Sequence, residues 1–550
     1  MGRSLLRALA ALLAAATSAC GPADDERPLN LLFVLSDQHR GDTLGCAGHP
    51  LVQTPHLDRL ASAGVRFANA VVQAPLCVPQ RASLFTGRYA QLHRATHNAC
   101  VLPEEELTWA EHLRGEGYAT VSVGRVHGVY DGCEHVAVAG KETIREPESE
   151  DAPPVPEEEH WDTRIADVAL EQLAELADAG RPWALYVGFF SPHSPYFPPS
   201  PYDGMYDLKQ IKPERYDPAR QAGQPSWQRD NVRLENLHPA SAKRRLAGYY
   251  GLTSHLDHQV GRLLDALDEL ELAERTLVVY TSDHGAPHGE HGFTRKNVSF
   301  YEGGVVVLAM LRLPGRLPAG RVVEPVVESI DLVPTMLALL GVDVPPAFVG
   351  TDLRPLAHGE AEAARGYAFA SIDFTHQKRP EERGLMVRTD GWKLCWYTTG
   401  EGELFDLAAD PGELQNLYGD AAHFADRDRH WALLVEHLIW TWSLVPGREV
   451  RSPGVGRGDV TLLAAAGDAP GVRVRSGGWE LERRAGGGGH LFHLASDPGR
   501  SRDRFADPAS ARRHQELEEL LVGHLAYGLG PPNHRDPDDG RCFDLSLIHI

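Results

Sequence analysis

Between residues 30 and 340, short apolar runs alternate with longer amphipathic stretches, and this alternation constrains the fold more than any other feature of the chain. It is the pattern of a mostly parallel sheet covered by helices. Leu31 to Leu35 is an all-apolar run of the buried-strand type, and Tyr118 to Val123, Trp183 to Phe189, Thr276 to Thr281 and Val305 to Leu311 read as further strands. Leu57 to Ala63 reads as a helix, Thr163 to Ala179 and Ala240 to Leu272 as long helices, and Ile330 to Leu340 as a helix ended by Gly341. The expected class is α/β: a large mixed, mostly parallel sheet flanked by helices on both faces, followed by a smaller C-terminal antiparallel-sheet α+β unit.

Two of these strands end in acid-bearing loops, Leu35-Ser36-Asp37-Gln38 and Tyr280-Thr281-Ser282-Asp283-His284-Gly285. In open α/β sheets the site lies beyond the carboxyl ends of the strands, so the two loops can converge on one ion. Asp37, Gln38 and Asp283 offer oxygen ligands and His284 one nitrogen, a mix that suits Ca2+, Mg2+ or Mn2+ better than zinc. Taken alone, Asp283-His284-Gly285 would be an ordinary turn. Glu142 to Glu159, rich in Glu and Pro, reads as an exposed loop, and residues 196 to 240 as a long surface insertion able to shape a substrate pocket.

The C-terminal part carries an internal repeat. Val387-Arg388-Thr389-Asp390-Gly391-Trp392-Lys393-Leu394 matches Val474-Arg475-Ser476-Gly477-Gly478-Trp479-Glu480-Leu481, and Gly402 to Leu407 matches Gly489 to Leu494 at the same offset. Each copy reads as a hairpin followed by a helix, Arg512 to Ala526 in the second. The expected segments are therefore a catalytic domain over 30–365, a C-terminal subdomain over 366–445 and a duplicated hairpin-helix unit over 446–540. The apolar Leu545 to Ile550 run within 541–550 reads as an artefactual or disordered tail.

The 54 basic and 76 acidic side chains leave a net charge of −22, which argues against a general binder of nucleic acid or anionic membrane. An enzyme of anionic esters must then concentrate cations locally, and Arg40, Arg81, Arg125 and Lys296 all fall inside motifs. The first 19 residues read as an export signal: Arg3 and Arg7, an apolar run from Ala8 to Ala16, then Thr17-Ser18-Ala19. Cys20 after the cut resembles a lipoprotein anchor followed by a linker over 20–29, although plain cleavage after Ala19 leaves the same first residue. The expectation is an exported, periplasmic or outer-membrane lipoprotein that meets the membrane only through this anchor. The seven cysteines show no zinc spacing, and export permits a disulfide such as Cys100 with Cys133.

The run Pro75-Leu76-Cys77-Val78-Pro79-Gln80-Arg81-Ala82-Ser83-Leu84-Phe85-Thr86-Gly87 resembles the signature at which sulfatases oxidise a cysteine to formylglycine. With Asp37-Gln38 and Asp283-His284 it resembles the Asp-Gln branch of the formylglycine-dependent sulfatases in the alkaline phosphatase superfamily, including iduronate sulfatase-like and choline sulfatase-like enzymes. The resemblance covers residues 30 to 420 and departs at Gln80, where a small residue is more usual, and at Arg125, which replaces a lysine. It implies a cation, Ca2+ foremost with Mg2+ or Mn2+ as alternatives, held by Asp37, Gln38, residue 77, Asp283 and His284. It also implies a formylglycine at Cys77 installed by a maturation enzyme, with a sulfated small molecule or glycan as substrate.

The catalytic residues implied are Cys77, Arg81, Arg125, His127, His193 and Lys296. A hydroxyl of the hydrated aldehyde would attack sulfur, His193 would protonate the departing alcohol, Arg81 and Lys296 would offset sulfuryl charge, and His127 would assist expulsion of sulfate. Arginine at 125 is a wider fork than lysine, suited to clamping oxygens and less able to move a proton. His255, His258, His288 and His291 read as structural or pocket-lining, His291 being the nearest of them to Lys296. Two other readings use the same scaffold: a formylglycine-dependent phosphonate monoester or phosphodiester hydrolase, and an inactive lipoprotein that binds sulfated glycans.

Overall fold

The computed structural model describes residues 28–127, 132–139, 154–213, 223–232, 237–294, 296, 299–374, 383–444, 459–463, 471–476, 479–484, 489–493 and 522. The export signal, Cys20, most of the Glu142–Glu159 segment, the tail, and the Arg512–Ala526 helix apart from Val522 lie outside the described residues.

Strands β1 (Asn30–Ser36), β2 (Val65–Val71), β3 (Ala119–Gly124), β4 (Glu134–Val136), β5 (Trp183–Gly188), β6 (Thr276–Ser282), β7 (Val306–Arg312), β8 (Arg321–Val323) and β9 (Val327–Glu328) form one nine-stranded sheet. The order is β4-β3-β5-β1-β6-β7-β2-β8, with β9 also beside β2. Only β7 runs against its neighbours β6 and β2; every other pairing is parallel. The sheet is thus the mixed, mostly parallel one expected. β1 lies at its centre, and all seven of its residues are buried because both faces are covered.

Side chains alternate between those two faces. Leu31, Phe33 and Leu35 join a core with Val78, Ala82 and Phe85 of the Cys77–Thr86 helix and with the Leu332–Leu340 helix. Leu32 and Val34 face the opposite core, filled by Leu57 and Leu60 of Pro55–Ser62, by Ile165, Ala169 and Leu173 of Trp161–Ala177, and by Leu256, Val260, Leu263 and Leu267 of Pro239–Glu269. The last four recur at intervals of four, three and four, the stripe that keeps one helix face on the sheet.

β2 was not among the expected strands. Arg66 and Asn69 interrupt its apolar residues, and it is held as a strand by pairing with β7, β8 and β9. The segment 196–240 is a surface insertion only in part: residues 200–210 are exposed or half-buried, but a later stretch packs inward. In its Ser226–Asn231 helix, Trp227 and Gln228 are fully buried, and Gln228 Nε2 donates to Tyr397 Oη (3.0 Å) and Glu403 Oε2 (3.0 Å). It braces the catalytic layer against the C-terminal sheet.

That sheet comprises β10 (Ala368–Asp373), β11 (Arg383–Arg388), β12 (Trp392–Tyr397) and β13 (Gly402–Asp406), all antiparallel. The Phe424–Ser443 helix covers it with Trp431, Leu434, Val435, Leu438 and Ile439. A second antiparallel sheet follows: β14 (Asp459–Leu463), β15 (Gly471–Ser476), β16 (Trp479–Arg484) and β17 (Gly489–His493). Val387 pairs with Leu394 and Leu394 with Leu404; in the second copy Val474 pairs with Leu481 and Leu481 with Leu491. The repeated residues therefore adopt the same hairpin register twice. Val522 is buried in the core of the first copy.

Candidate active site

The order β5-β1-β6 brings three loops together at one end of the sheet, joined by Asp37 N–H to Ser191 O (3.3 Å) and Asp283 N–H to Ser36 O (3.2 Å). Asp37 and Gln38 follow β1, Asp283 and His284 follow β6, and His193 follows β5. Cys77 opens the Cys77–Thr86 helix beside them, which places Arg81 one turn further on the same helix face. One donor atom each from Asp37, Cys77, Asp283 and His284 lies within 4.8 Å of the others, and all four residues are buried.

Arg81 is fully buried and fixes both carboxylates. Its Nη2 donates to Asp37 Oδ2 (3.0 Å) and its Nε to Asp283 Oδ2 (3.1 Å), while Nη1 donates to Arg125 O (2.8 Å) and Tyr186 Oη (3.0 Å). Gln38 sits in the left-handed region (φ 67°), a strained conformation for a non-glycine residue. Tyr249 Oη donates to its carbonyl (2.8 Å), and its own N–H donates to Asp283 Oδ1 (3.1 Å). Its side-chain oxygen accepts from Ser194 N–H (3.3 Å).

The sulfur of Cys77 faces a ring of cationic and imidazole groups. Lys296 Nζ donates to Sγ at 2.8 Å and lies 3.8 Å from Asp37 Oδ1; His284 Nε2 is 3.4 Å from Sγ. Burial would raise the thiol, but above all the charges of Lys296 and His284, with a hydrogen bond from His127, hold it well below its usual range.

The two carboxylates respond in opposite directions. Burial and the Cys77 thiolate push Asp37 up, yet Arg125, His193 and Lys296 bring it well below the carboxylate range. Asp283 is pushed up by burial and by Asp37, against His284 and Arg81. A buried pair of carboxylates in which one pushes the other's pKa up is the electrostatic signature of a site suited to a cation. Two carboxylates, an amide oxygen and an imidazole match a divalent ion.

Arg125 lies where its charge serves Asp37. Nε is 3.0 Å from Asp37 Oδ2, off the direction of a hydrogen bond, its guanidinium stacks 4.7 Å from the Phe190 ring centroid, and Nη2 is 3.1 Å from His127 Nδ1. With Nδ1 accepting from Arg125, the neutral His127 ring carries its proton on Nε2. Gly124, at φ 86° before Arg125, has no room for a side chain: an added Cβ would lie 2.3 Å from Gly188 O. His193 Nε2 is 4.0 Å from Asp37 Oδ1, and burial with Lys296 lowers its pKa to about 4. Its Nδ1 faces the Ser194 carbonyl, which leaves the Nε2 lone pair towards the site.

All ten site residues named from the sequence, Asp37, Gln38, Cys77, Arg81, Arg125, His127, His193, Asp283, His284 and Lys296, thus meet in one cluster. Arg40 does not join it; its guanidinium is held by Asp42 (2.6 Å) and Glu290 (2.5 Å). His291 instead stacks on Tyr301 at 3.6 Å. No disulfide joins Cys100 to Cys133.

Several supporting groups escaped the sequence pattern. Asp162 accepts from the N–H groups of Phe190 (2.8 Å) and Ser191 (2.9 Å), just before His193. Tyr186 could have been flagged, since a hydroxyl inside an all-buried strand needs a partner. Gln80, an apparent departure from the motif, is a buried clamp: Oε1 accepts from Gln73 N–H (2.8 Å) and Ala74 N–H (3.2 Å), and Nε2 donates to Ser329 Oγ (2.6 Å). Gln80→Ala strips three buried partners from the segment leading into Cys77. It is expected to cost about 2–4 kcal/mol by chemical denaturation and to lower kcat through misplacement of residue 77.

A profile of the Sulfatase family matches residues 29–342, and one described as N-sulphoglucosamine sulphohydrolase, C-terminal, matches residues 289–434. The chain is 30% identical over 422 residues to an ulvan-active sulfatase of Formosa agariphila, covering 72% of this chain and 78% of that protein. It is 31% identical over 386 residues to iduronate 2-sulfatase of Homo sapiens, covering 58% and 70% respectively. Among solved structures, a phosphonate monoester hydrolase from Silicibacter pomeroyi matches with a TM-score of 0.66 at 26% identity, over 74% of this chain and 95% of that one. A family match spanning more than half of the residues, on a sheet whose central strands end in the clustered acids, shows that the chain belongs to the sulfatase family and is a hydrolase of sulfate esters.

Proposed function

We propose that this sulfatase is exported, depends on a divalent cation and cleaves carbohydrate or alkyl sulfates with a formylglycine made from Cys77. The observation that carries the reading is the convergence on one buried sulfur of a lysine ammonium at 2.8 Å and a set of cation ligands within 4.8 Å. Hydrated formylglycine would supply a hydroxyl nucleophile. The cation, held by Asp37, Gln38, Asp283 and His284, would supply Lewis-acid polarisation; the oxygen-rich set suits Ca2+, Mg2+ or Mn2+, with Ca2+ foremost from the family resemblance.

The chain's own residues divide the remaining tasks. Lys296, whose ammonium lies beside both Sγ (2.8 Å) and Asp37 (3.8 Å), would receive the sulfuryl oxygens. Arg81 has every nitrogen engaged with buried partners, so it orients the two carboxylates and does not reach the substrate. His127 presents Nε2–H to the atom attached to residue 77. His193 is neutral in the free enzyme and has a lone pair on Nε2; the negative charge of a bound ester raises its proton affinity, readying it to protonate the leaving oxygen. Arg125 steadies Asp37 and the His127 ring between them.

The carbohydrate assignment is supported by the kinship with the ulvan-active enzyme. The Cys20 anchor makes the mature protein a lipoprotein, and radiolabelled palmitate should remain with it. The deciding assay is release of 4-nitrophenol from 4-nitrophenyl sulfate and from 4-nitrophenyl phenylphosphonate, using protein co-expressed with a formylglycine-generating enzyme. Faster sulfate ester cleavage is expected. The 26% identity to a phosphonate monoester hydrolase supports the second reading, and preference for the phosphonate would establish it instead.

A further inference from the structure

We propose that His160, Asp162 and His255 form a second cation site, of zinc type, beside the loop that carries His193. One donor atom from each residue lies within 4.8 Å of the other two, and all three residues are buried. They come from two packed helices. His160 caps the Trp161–Ala177 helix, Asp162 lies in its first turn, and His255 lies in the middle of Pro239–Glu269, with the two imidazoles edge to face at 4.7 Å.

The three side chains make no hydrogen bond to one another, although each is held from outside. His160 Nδ1 accepts from Asp162 N–H (3.2 Å), which leaves Nε2 as its second nitrogen. The Asp162 oxygens accept from Phe190 and Ser191 N–H, so the carboxylate is oriented and still has lone pairs to give. His255 Nε2 lies 3.0 Å from Thr163 Oγ1 and 3.1 Å from Gln259 Nε2, whereas its Nδ1 is buried with no partner at all.

That orphan nitrogen makes the cluster more than a polar contact. With its proton on Nδ1 the ring finds no acceptor there, and with its proton on Nε2 the Nδ1 lone pair finds no donor. A cation on Nδ1 resolves the deficit by displacing the proton there; Nε2–H then donates to Thr163 Oγ1, while Gln259 Nε2 turns from Nε2 to its other acceptor, Glu157 Oε1 (3.1 Å). Two imidazoles and one carboxylate suit zinc, in contrast to the oxygen-rich set at Asp37 and Asp283. Tetrahedral bonds of about 2.0–2.2 Å need donors about 3.4 Å apart, which modest side-chain rotation supplies from the observed spacing. Glu157 Oε1, 3.9 Å from His255 Nε2, adds a further carboxylate oxygen near the cluster. Because Asp162 also holds Phe190 and Ser191, a cation here would stiffen the strand end that presents His193.

The test uses the full chain carrying Asp283→Asn, which weakens the catalytic cation site, dialysed against chelator and titrated with Zn2+ alone by calorimetry and by elemental analysis after gel filtration. The expected result is one tightly bound zinc that raises Tm, and visible d–d bands of a four-coordinate ion when Co2+ replaces it. Adding His255→Ala, or His160→Gln should the first not fold, is expected to abolish the bound zinc, the Tm shift and the bands together. Absence of zinc from the Asp283→Asn protein, or zinc retained unchanged in a folded His255→Ala or His160→Gln variant, overturns the proposal.

Discussion

Cys77→Ala is expected to abolish turnover of 4-nitrophenyl sulfate, a loss of about 10^4-fold or more in kcat, since deleting a covalent nucleophile removes the step on which every other group acts. Cation binding should survive, because Asp37, Gln38, Asp283 and His284 remain, and calorimetric titration with Ca2+ reads that directly. Cys77→Ser separates the aldehyde from a simple hydroxyl. Serine can attack sulfur but has no second hydroxyl whose deprotonation expels sulfate. It should therefore give at most one equivalent of 4-nitrophenol per chain in a rapid-mixing experiment, followed by silence. Sustained turnover by Cys77→Ala would show that residue 77 is not the nucleophile, and sustained turnover by Cys77→Ser that the aldehyde is not required.

Arg81→Met should produce the second large effect, on stability and activity together. Arg81 is fully buried between Asp37 and Asp283. Methionine fills much of the volume but leaves two carboxylates facing one another, and losing one side of a buried charge cluster costs about 3–5 kcal/mol. The pH dependence has a definite sign. Asp283 already sits near 6, pushed up by burial and by Asp37, and without Arg81 it should rise further. An acid whose folded pKa exceeds its unfolded value stabilises the fold below the unfolded pKa, and that contribution is lost as pH climbs through the folded pKa. The variant's urea midpoint should thus lie closer to that of the wild type near pH 5 than near pH 8. Millimolar Ca2+ should recover part of the midpoint by supplying positive charge between the carboxylates, and less of kcat, since their orientation by the guanidinium fork is not restored. A variant with wild-type stability across this range would contradict the bridging role.

Much of the chemistry was legible along the chain because it resides in short local strings. A buried strand must be apolar, so Leu31–Leu35 and Thr276–Thr281 announce themselves, and polar residues directly after them mark the strand ends where ligands can gather. The Cys77-to-Arg81 spacing is likewise local: one helical turn puts both side chains on one face. Partners that meet only through the sheet order were not legible. Arg81 reads as a substrate contact in the motif, yet the fold turns it inward onto acids 44 and 202 residues away. Gln80 reads as a departure and is a clamp. Tyr186, Asp162 and the Ser226–Asn231 brace carry no local signal beyond a polar atom in need of a partner.

The sequence by itself thus determined the layered α/β class and which cysteine and acids gather at the strand ends, since residue type and spacing of a few positions suffice for those. Only the tertiary structure decided which cations face the sulfur and which face the carboxylates. It also decided that β2 is a strand at all, and that His255, to all appearance a core histidine, has a ring nitrogen without a partner and clusters with His160 and Asp162. The physical reason is common to all of them: charge and hydrogen-bond satisfaction in a buried site depend on distances between strands and helices far apart in the chain, and those distances exist only once the sheet is assembled.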